Sequence, residues 1–497
     1  MINTRVRSFA FSGIEAIPVW IEVQIASGLP AFLIVGLPDK AVGEARERVR
    51  AALTSMGVAL PPKRILINMV PADLQKEGSH FDLPVALALL AAMNVIPGEE
   101  LTRYAAVGEL SLDGSINRVP QVISASIAAS MLEIGLICPK TQGREALFGG
   151  DKDVIAAPDL LSLVNHLRGL QVLTPENLDA AEPDISENNY ADMADIRGME
   201  TARRAAEIAA AGGHSMLMSG PPGAGKSMLA ARIPGLLPEL SLTETLEVTR
   251  IYSAAGLLPS GNPIRRAPFR SPHHSASQPA LMGGGARAKP GEVSLAHRGI
   301  LFLDEMPEFS RQALEALRQP VETGEAVIAR AAAHVTYPAR FQLIAAMNPC
   351  RCGWLGDASR ECRKAPRCGE DYLGKLSGPL IDRIDLWVPV QPVSPADMLN
   401  ASSSETTATV AERVARARDR QNNRNDGIRN SEIKAELCII HDNAKSLVGE
   451  IARSFRLSAR GFTRLLRVAR TIADLADSDL IHETHVSEAA AYRQRLH

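Results

Sequence analysis

Hydrophobic and polar positions change their period several times along this chain, and the changes divide it. Over residues 1–170, short alternating or continuous apolar runs (VWIEVQIA, AFLIVGLP, RILINMVP, YAAVGELSL) predict strands, interleaved with runs of helical period (KAVGEARERVRAALTSMG, LPVALALLAAMN, VPQVISASIAASMLEIG). That alternation predicts one α/β domain. Residues 171–195, QVLTPENLDAAEPDISENNYADMAD, are polar, acidic and aperiodic, and predict a linker. A second α/β domain is expected over 196–395. In it TARRAAEIAAAGG reads as a helix closed by a glycine pair, SMLMSG, GILFLDE and FQLIAAMNP as buried strands, and EAVIARAAAHVTYPA as a hairpin. Residues 396–497 turn charged and helical and predict a C-terminal helical lid domain.

Composition narrows the class without changing this division. The 497 residues leave room for about three cores. The longest apolar runs, such as Pro84 to Met93, fall short of the roughly 20 residues that cross a bilayer. Glu15 and Glu22 interrupt the apolar stretch that a signal peptide would need. The chain is therefore expected to be globular and cytoplasmic, with no membrane partner. A net charge of −2 gives no global attraction to nucleic acid, so any such surface must be local. Four of the six cysteines, Cys350, Cys352, Cys362 and Cys368, crowd into one stretch, which in a reducing compartment reads as a metal site or free thiols before it reads as disulfides.

The most informative string is SGPPGAGKSM. Gly220, Pro221, Pro222, Gly223, Ala224, Gly225, Lys226 and Ser227 match G-x-x-x-x-G-K-[ST], followed by Met228. The glycines let backbone N–H groups curl round phosphates, the lysine reaches the β/γ-phosphates of ATP, and the serine holds Mg²⁺. Asp304 and Glu305 end the apolar strand GILFLDE. An Asp there can bind Mg²⁺ and a Glu can polarise an attacking water. Asn348 ends the next strand, where its amide can sense the γ-phosphate or simply start a turn before Pro349. Arg383 (SGPLIDRIDL) and Arg460 (LSARGFTRLLRVARTIADL) are candidates to neutralise charge building on a transferred phosphoryl group.

In this order the pieces resemble the AAA+ ATPases of the helix-2-insert group, and the whole chain is similar to the YifB/ComM family of magnesium-chelatase-like bacterial ATPases. FRSPHHSASQPALMGGG, PGEVSLAHRGILFLDEMPEF, YPARFQLIAAMNPCRCG and SGPLIDRIDL carry the resemblance, with SGIEAIPVWIEVQIASGLPAFLIVGLPDKAVGEARERVRAAL at the N-terminal end. It implies Asp304 and Glu305 as the Walker B pair, Asn348 as sensor 1, Arg383 as a finger reaching the neighbouring subunit's ATP, and Arg460 as sensor 2, with Arg464 the alternative. A finger acting on a neighbour implies a ring, in this family a homo-hexamer. The N-terminal domain resembles the Lon-protease fold, with Pro84 and Asn117 set where the Ser–Lys dyad belongs. That leaves no nucleophile and implies a non-catalytic scaffold or a DNA-facing collar.

The family further implies ATP-driven branch migration of DNA joints during natural transformation, with branched or double-stranded DNA as partner. The stretch between P-loop and Walker B carries Arg265, Arg266, Arg270, Arg287 and Lys289 among glycines, and the hairpin carries Arg330, all suited to sequence-independent phosphate contacts or to simple solvation. The alternative reading is a motor that remodels a protein partner. His273 and His274 lack a cysteine or carboxylate at ligand spacing and read as loop hydrogen-bonding or phosphate-contacting groups. Arg413, Arg416, Arg420 and Arg424 share one helical face and read as an exposed, salt-bridged surface. The cysteines, spaced C-x-C-x₉-C-x₅-C, can close a tetrahedral Zn²⁺ site or remain thiols.

Overall fold

The computed structural model describes residues 4–36, 39–150, 153–174, 190–258, 262–285, 288–329, 334–355, 362, 364–393 and 405–493. Two sheets organise it. The first contains β1 (Thr4–Ser12), β2 (Glu15–Ala26), β3 (Ala31–Val35), β4 (Arg64–Val70) and β5 (Tyr104–Ala106). A small ladder, β6 (Glu109–Leu110) and β7 (Ile116–Asn117), precedes its last strands, β8 (Gly135–Pro139) and β9 (Val154–Ala157). The seven strands run in the order β3-β4-β2-β1-β5-β8-β9. Inward positions such as Val6, Val19, Ile21, Ile65 and Ile67 pack on α1 (Lys40–Ser55), α2 (Asp82–Ala92) and α5 (Leu160–Leu167). Asp39 starts α1 by accepting from the Val42 N–H at 2.7 Å, and ten consecutive residues of α2, Asp82 through Ala91, are buried. On the opposite face α3 (Val122–Met131) and α4 (Gly143–Leu147) cover Phe9, Ala105 and Leu136.

The second sheet comprises β10 (Met216–Ser219), β11 (Phe269–Arg270), β14 (Ile300–Leu303), β17 (Gln342–Met347) and β18 (Leu386–Pro389), all parallel, in the order β11-β14-β17-β10-β18. Two antiparallel ladders lie beside it, β12 (Gly283–Gly284) with β13 (Lys289–Pro290) and β15 (Glu325–Ala329) with β16 (His334–Pro338). Parallel strands buried on both faces explain why these segments read as continuous apolar runs. Helix α6 (Glu200–Gly212) precedes β10 and ends at Gly213, whose φ of +72° suits glycine. Next come α7 (Lys226–Ala230), on the P-loop, and α8 (Leu242–Ala255), which opens with a Ser241/Glu244 capping box.

The C-terminal helices Thr407–Asn425, Asp442–Ser454, Ala459–Leu475 and Glu483–Ala491 pack on the second sheet. Val414, Leu465, Val468 and Val486 share one apolar cluster with α6 and with Met216, Ile344 and Leu386 of the sheet. Arg413 explains part of this: it bonds Glu207 of α6 at 2.6 Å as well as Glu405, while Arg424 bonds the buried Asp474. The arginine face is thus salt-bridged as expected, yet two of its members tie helices together rather than only facing water.

The expected linker also needs correction at its end. Met193 and Ile196 are buried, the Asp192 carboxylate accepts from the Thr407 N–H, and Arg232 bonds the Asp192 carbonyl and the Asp195 side chain. Residues 192–196 are therefore part of the second core, while 175–189 lie outside the described residues. The N-terminal sheet docks on that core through α8. Arg250 donates to the Ile14 carbonyl and to Glu15, and Ser253 links the Gln121 N–H to the Glu145 carboxylate. Pro84 lies buried inside α2, and the exposed Asn117 donates to Ser111.

Candidate functional site: a P-loop and a distant arginine cleft

At the C-terminal end of β10 the chain turns tightly. A Cβ on Gly220 would lie 2.1 Å from the Val390 carbonyl oxygen, so only glycine fits between β10 and the end of β18. Gly223 and Gly225 hold φ of +79° and +83°, and Gly225 leads into α7. The N–H groups of Gly223, Gly225, Lys226 and Ser227 have no acceptor among the described residues, which leaves a ring of donors round the loop. Lys226 folds into it, donating to the carbonyls of Gly220 (2.7 Å) and Pro221 (2.9 Å) and to Asn348 Oδ1 (3.2 Å). Burial lowers its pKa while Asp304 and Glu305 pull the other way. Asn348 is therefore brought onto the P-loop by β17, the immediate neighbour of β10.

From β14 come the carboxylates. Ser227 Oγ donates to Asp304 Oδ2 at 2.7 Å, so the two expected Mg²⁺ ligands already meet, and Asp304 Oδ1 accepts from the Glu305 N–H. Glu305 sits at φ +50°, a left-handed conformation that turns its side chain away from Asp304's strand direction. His274 Nδ1 lies 3.6 Å from a Glu305 carboxylate oxygen, and the His273 and His274 rings stack at 4.1 Å. Met228 is exposed and makes none of these contacts.

The two arginines are elsewhere. Asp385 and Leu386 both donate their N–H groups to the Ser215 carbonyl, which places Arg383 at the N-terminal end of β10 and β18. The four residues of β10 separate Ser215 from Gly220, five steps of ~3.3 Å or about 16 Å. An arginine cannot span that distance to its own P-loop. Arg383 and Arg460 line a cleft of about 270 Å³ together with Arg464 and Arg467. There Arg383 bonds Glu322 and the Pro379 carbonyl, and Arg464 lies 3.5 Å from Asp385, whereas Arg460 is exposed and has no ion pair among the described residues. Asp385 itself is buried. Burial pushes its pKa up, but His214, Arg464 and the Ser215 N–H outweigh that and hold it below the usual carboxylate range.

The four cysteines, Cys350, Cys352, Cys362 and Cys368, converge. Their Sγ atoms all lie within 4.8 Å of one another, and a tetrahedron of Zn–S bonds of ~2.3 Å needs S···S separations of about 3.8 Å. The donor set and spacing fit a zinc ion. The turn they build follows Asn348 directly, and a Cβ on Gly353 would lie 2.7 Å from Pro222 Cδ, so this turn leans on the P-loop.

Residues 192–398 match the family described as magnesium chelatase, subunit ChlI; residues 21–142 match subunit ChlI of Mg-chelatase, and 404–493 its C-terminal part. Uncharacterized protein YifB of Escherichia coli (strain K12) is 43% identical over 500 residues, covering 99% of this chain and 96% of that protein. The chain belongs to the YifB/ComM magnesium-chelatase-like family. Competence protein ComM of Haemophilus influenzae is 42% identical over 495 residues, 98% of this chain and 97% of that protein. The magnesium-chelatase 38 kDa subunit of Acidiphilium rubrum is 27% identical over 231 residues, 44% of this chain and 58% of that subunit. Membership is consistent with ATP and Mg²⁺ at the loop just described, and no helix among the described residues is long and apolar enough to cross a membrane.

The basic residues of this YifB/ComM chain are less concerted than their spacing suggests. Arg270, in β11, is held by both oxygens of Glu292 at 2.7 and 2.8 Å, so its guanidinium is committed to that carboxylate in this chain. Arg265 is exposed, Arg266 lies over the Tyr190 ring, and Lys289 lines a separate cavity of about 500 Å³ at the junction with the N-terminal sheet. Arg287 and Arg330 lie outside the described residues. The sequence reading missed His274 beside Glu305, Asp385 beneath the arginine cleft and Gly353 against the P-loop. Only the first was visible as a residue worth asking about.

Proposed function

We propose that the chain is a ring-forming ATPase, a homo-hexamer, in which each ATP site is built by two subunits. The observation that carries this is the separation of half-sites by the length of β10: Lys226, Ser227, Asp304, Glu305 and Asn348 at one end, Arg383 and Arg460 at the other. On this reading the free N–H groups and Lys226 bind the phosphates of ATP, and Ser227 and Asp304 hold Mg²⁺. Glu305 orients the water and Asn348 positions it, while the neighbour's Arg383 and Arg460 neutralise charge at the γ-phosphate. Arg383 rests on Glu322 in the single chain, so docking exchanges one anion for another. Structural Zn²⁺ on the four cysteines fixes the turn that supports Pro222.

The work done is movement along DNA, with branch migration of joints as the reaction. Support comes from the full-length similarity to a protein called competence protein ComM and from exposed Arg265 and Lys289, with Arg287 and Arg330, outside the described residues, in the same stretches of sequence. A cytoplasmic setting goes with it. The N-terminal domain, Lon-like in this reading, serves as scaffold. The second reading, a motor that remodels a protein partner, is favoured by the match to the magnesium-chelatase 38 kDa subunit, which covers only 44% of this chain. A mobile three- or four-way junction tests both. ATP-dependent strand exchange on that junction, lost with Arg265→Ala/Lys289→Ala, supports the DNA reading. A ring that hydrolyses ATP and neither binds nor moves the junction overturns it.

A further inference from the structure

Period-two alternation across β1, β2, β4 and β3 buries one face of the N-terminal sheet and leaves the other open. Helices α3 and α4 cover that second face over β5, β8, β9 and the Phe9–Phe11 and Ala16 ends of β1 and β2. The open part carries Arg5 and Arg7 on β1, Trp20 on β2, and Arg64 and Leu66 on β4, with Leu33 and Val35, 40% and 41% exposed, on the edge strand β3. Both guanidiniums of β1 stack on the Trp20 ring, with Cζ 4.5 and 4.6 Å from its centroid. Elsewhere in this chain most half-buried arginines meet a carboxylate. Arg5, Arg7 and Arg64 have no carboxylate partner among the described residues, and the one acid of the face, Glu22, accepts from Asn68.

We propose that this open face binds single-stranded nucleic acid. Stacking on Trp20 fixes the planes of two guanidiniums, so their outward N–H groups are set for phosphate oxygens and their flat faces for a base. Arg64 extends the cationic track towards the edge, where Leu33, Val35 and Leu66 offer apolar contact to unstacked bases. A duplex shows its phosphates but hides its base faces, and would leave the aromatic and apolar positions unused. Four strands at ~4.8 Å spacing give a surface about 15 to 20 Å wide, enough for a few nucleotides. The proposal rests on the DNA reading above and extends it to a surface on the N-terminal sheet.

The chain has three tryptophans, so a full-length Trp354→Phe/Trp387→Phe variant leaves Trp20 as the only indole. Titrated with a labelled oligo-dT, it should show Trp20 emission changing in step with the anisotropy of the label. In the otherwise natural sequence, Arg5→Ala/Arg7→Ala should weaken oligo-dT about tenfold or more, with a slope of log K against log salt shallower by about 1.4, at ~0.7 per charge. Basal ATP hydrolysis should be unchanged. Anisotropy that saturates while Trp20 emission stays still, with affinity unaffected by Arg5→Ala/Arg7→Ala, places the strand elsewhere and overturns this proposal while sparing the DNA reading. No binding of oligo-dT or of a junction overturns both. Trp20 emission that follows protein concentration and ignores oligo-dT makes the face a contact between subunits and also overturns it.

Discussion

Replacing Asp385 with Asn should damage both stability and hydrolysis while leaving ATP binding intact. Asn keeps the volume and can still accept from the Ser215 N–H (3.1 Å), but it withdraws the charge that faces Arg464 at 3.5 Å and His214 Nδ1 at 3.4 Å. Removing one partner of a buried ion pair costs ~3–5 kcal/mol, and because Arg464 opens on the cleft a cost somewhat below that range, about 2–3 kcal/mol, is expected. Arg383 lies two residues from the substitution and Arg460 one turn from Arg464, so a shift of ~1 Å there should lower kcat by up to about a hundredfold. The P-loop is at the other end of β10, so nucleotide affinity should stay within about twofold.

The pH dependence supplies the check on cause. Asp385 has a lowered pKa in the folded chain, so its charged form contributes stability that is present above the ordinary carboxylate pKa of ~3.9 and is lost as pH falls through the lower folded value. Asn has no such component. Urea midpoints measured from pH 7 down to pH 3 should therefore show the gap between natural and Asp385→Asn chains narrowing at the acid end. A deficit below about 0.5 kcal/mol at pH 7, or one that does not shrink with acid, would refute the argument that the charge holds this junction together.

Three further outcomes test the other half-site. Lys226→Ala should lose nucleotide binding, whereas Glu305→Gln should bind ATP normally and hydrolyse it at least a hundredfold more slowly; equal loss of binding in both would count against their separate roles. Purified, reduced protein should hold about one Zn²⁺ per chain by metal analysis, and Cys352→Ser or a strong chelator should remove it and lower the melting temperature. Gly353→Ala adds a Cβ 2.7 Å from Pro222 Cδ at a φ of +84°, so it should cost about 1–3 kcal/mol and raise the KM for ATP; an unchanged KM would mean that the cysteine turn does not support the P-loop.

What could be read from the sequence was whatever rests on local pattern. The P-loop, the strand-end carboxylates and Asn348 each sit at a change from an apolar run to a polar group, and parallel pairing of β10, β14 and β17 brings those three ends together. The two sheets were visible for the same reason. Contacts made at long range were not. Arg270 looked like a free cation in a glycine-rich loop because nothing local marks Glu292 as its partner. Met193 looked like the tail of a linker because its burial goes with a bond to the helix at Thr407, more than 200 positions away. Asp385 reads as an ordinary acid just before a strand, and only the fold surrounds it with His214 and Arg464.

One strand connects these observations. Ser215, at the start of β10, bonds the segment that carries Arg383, and Gly220, at its end, opens the phosphate loop. In the two-subunit site proposed above, this parallel strand would fix how far a subunit's own nucleotide lies from the arginines it offers to the next subunit. Hydrolysis at one interface would then reach the following one through β10 and its neighbours moving as a unit, because the cleft at Asp385 is packed on the same strand that ends in the P-loop. Loosening the junction at Asp385 should then do more than slow each site. In mixed rings, Asp385→Asn subunits should reduce hydrolysis at the site of the neighbour that receives their Arg383, while their own P-loop, paired with natural arginines, should keep working.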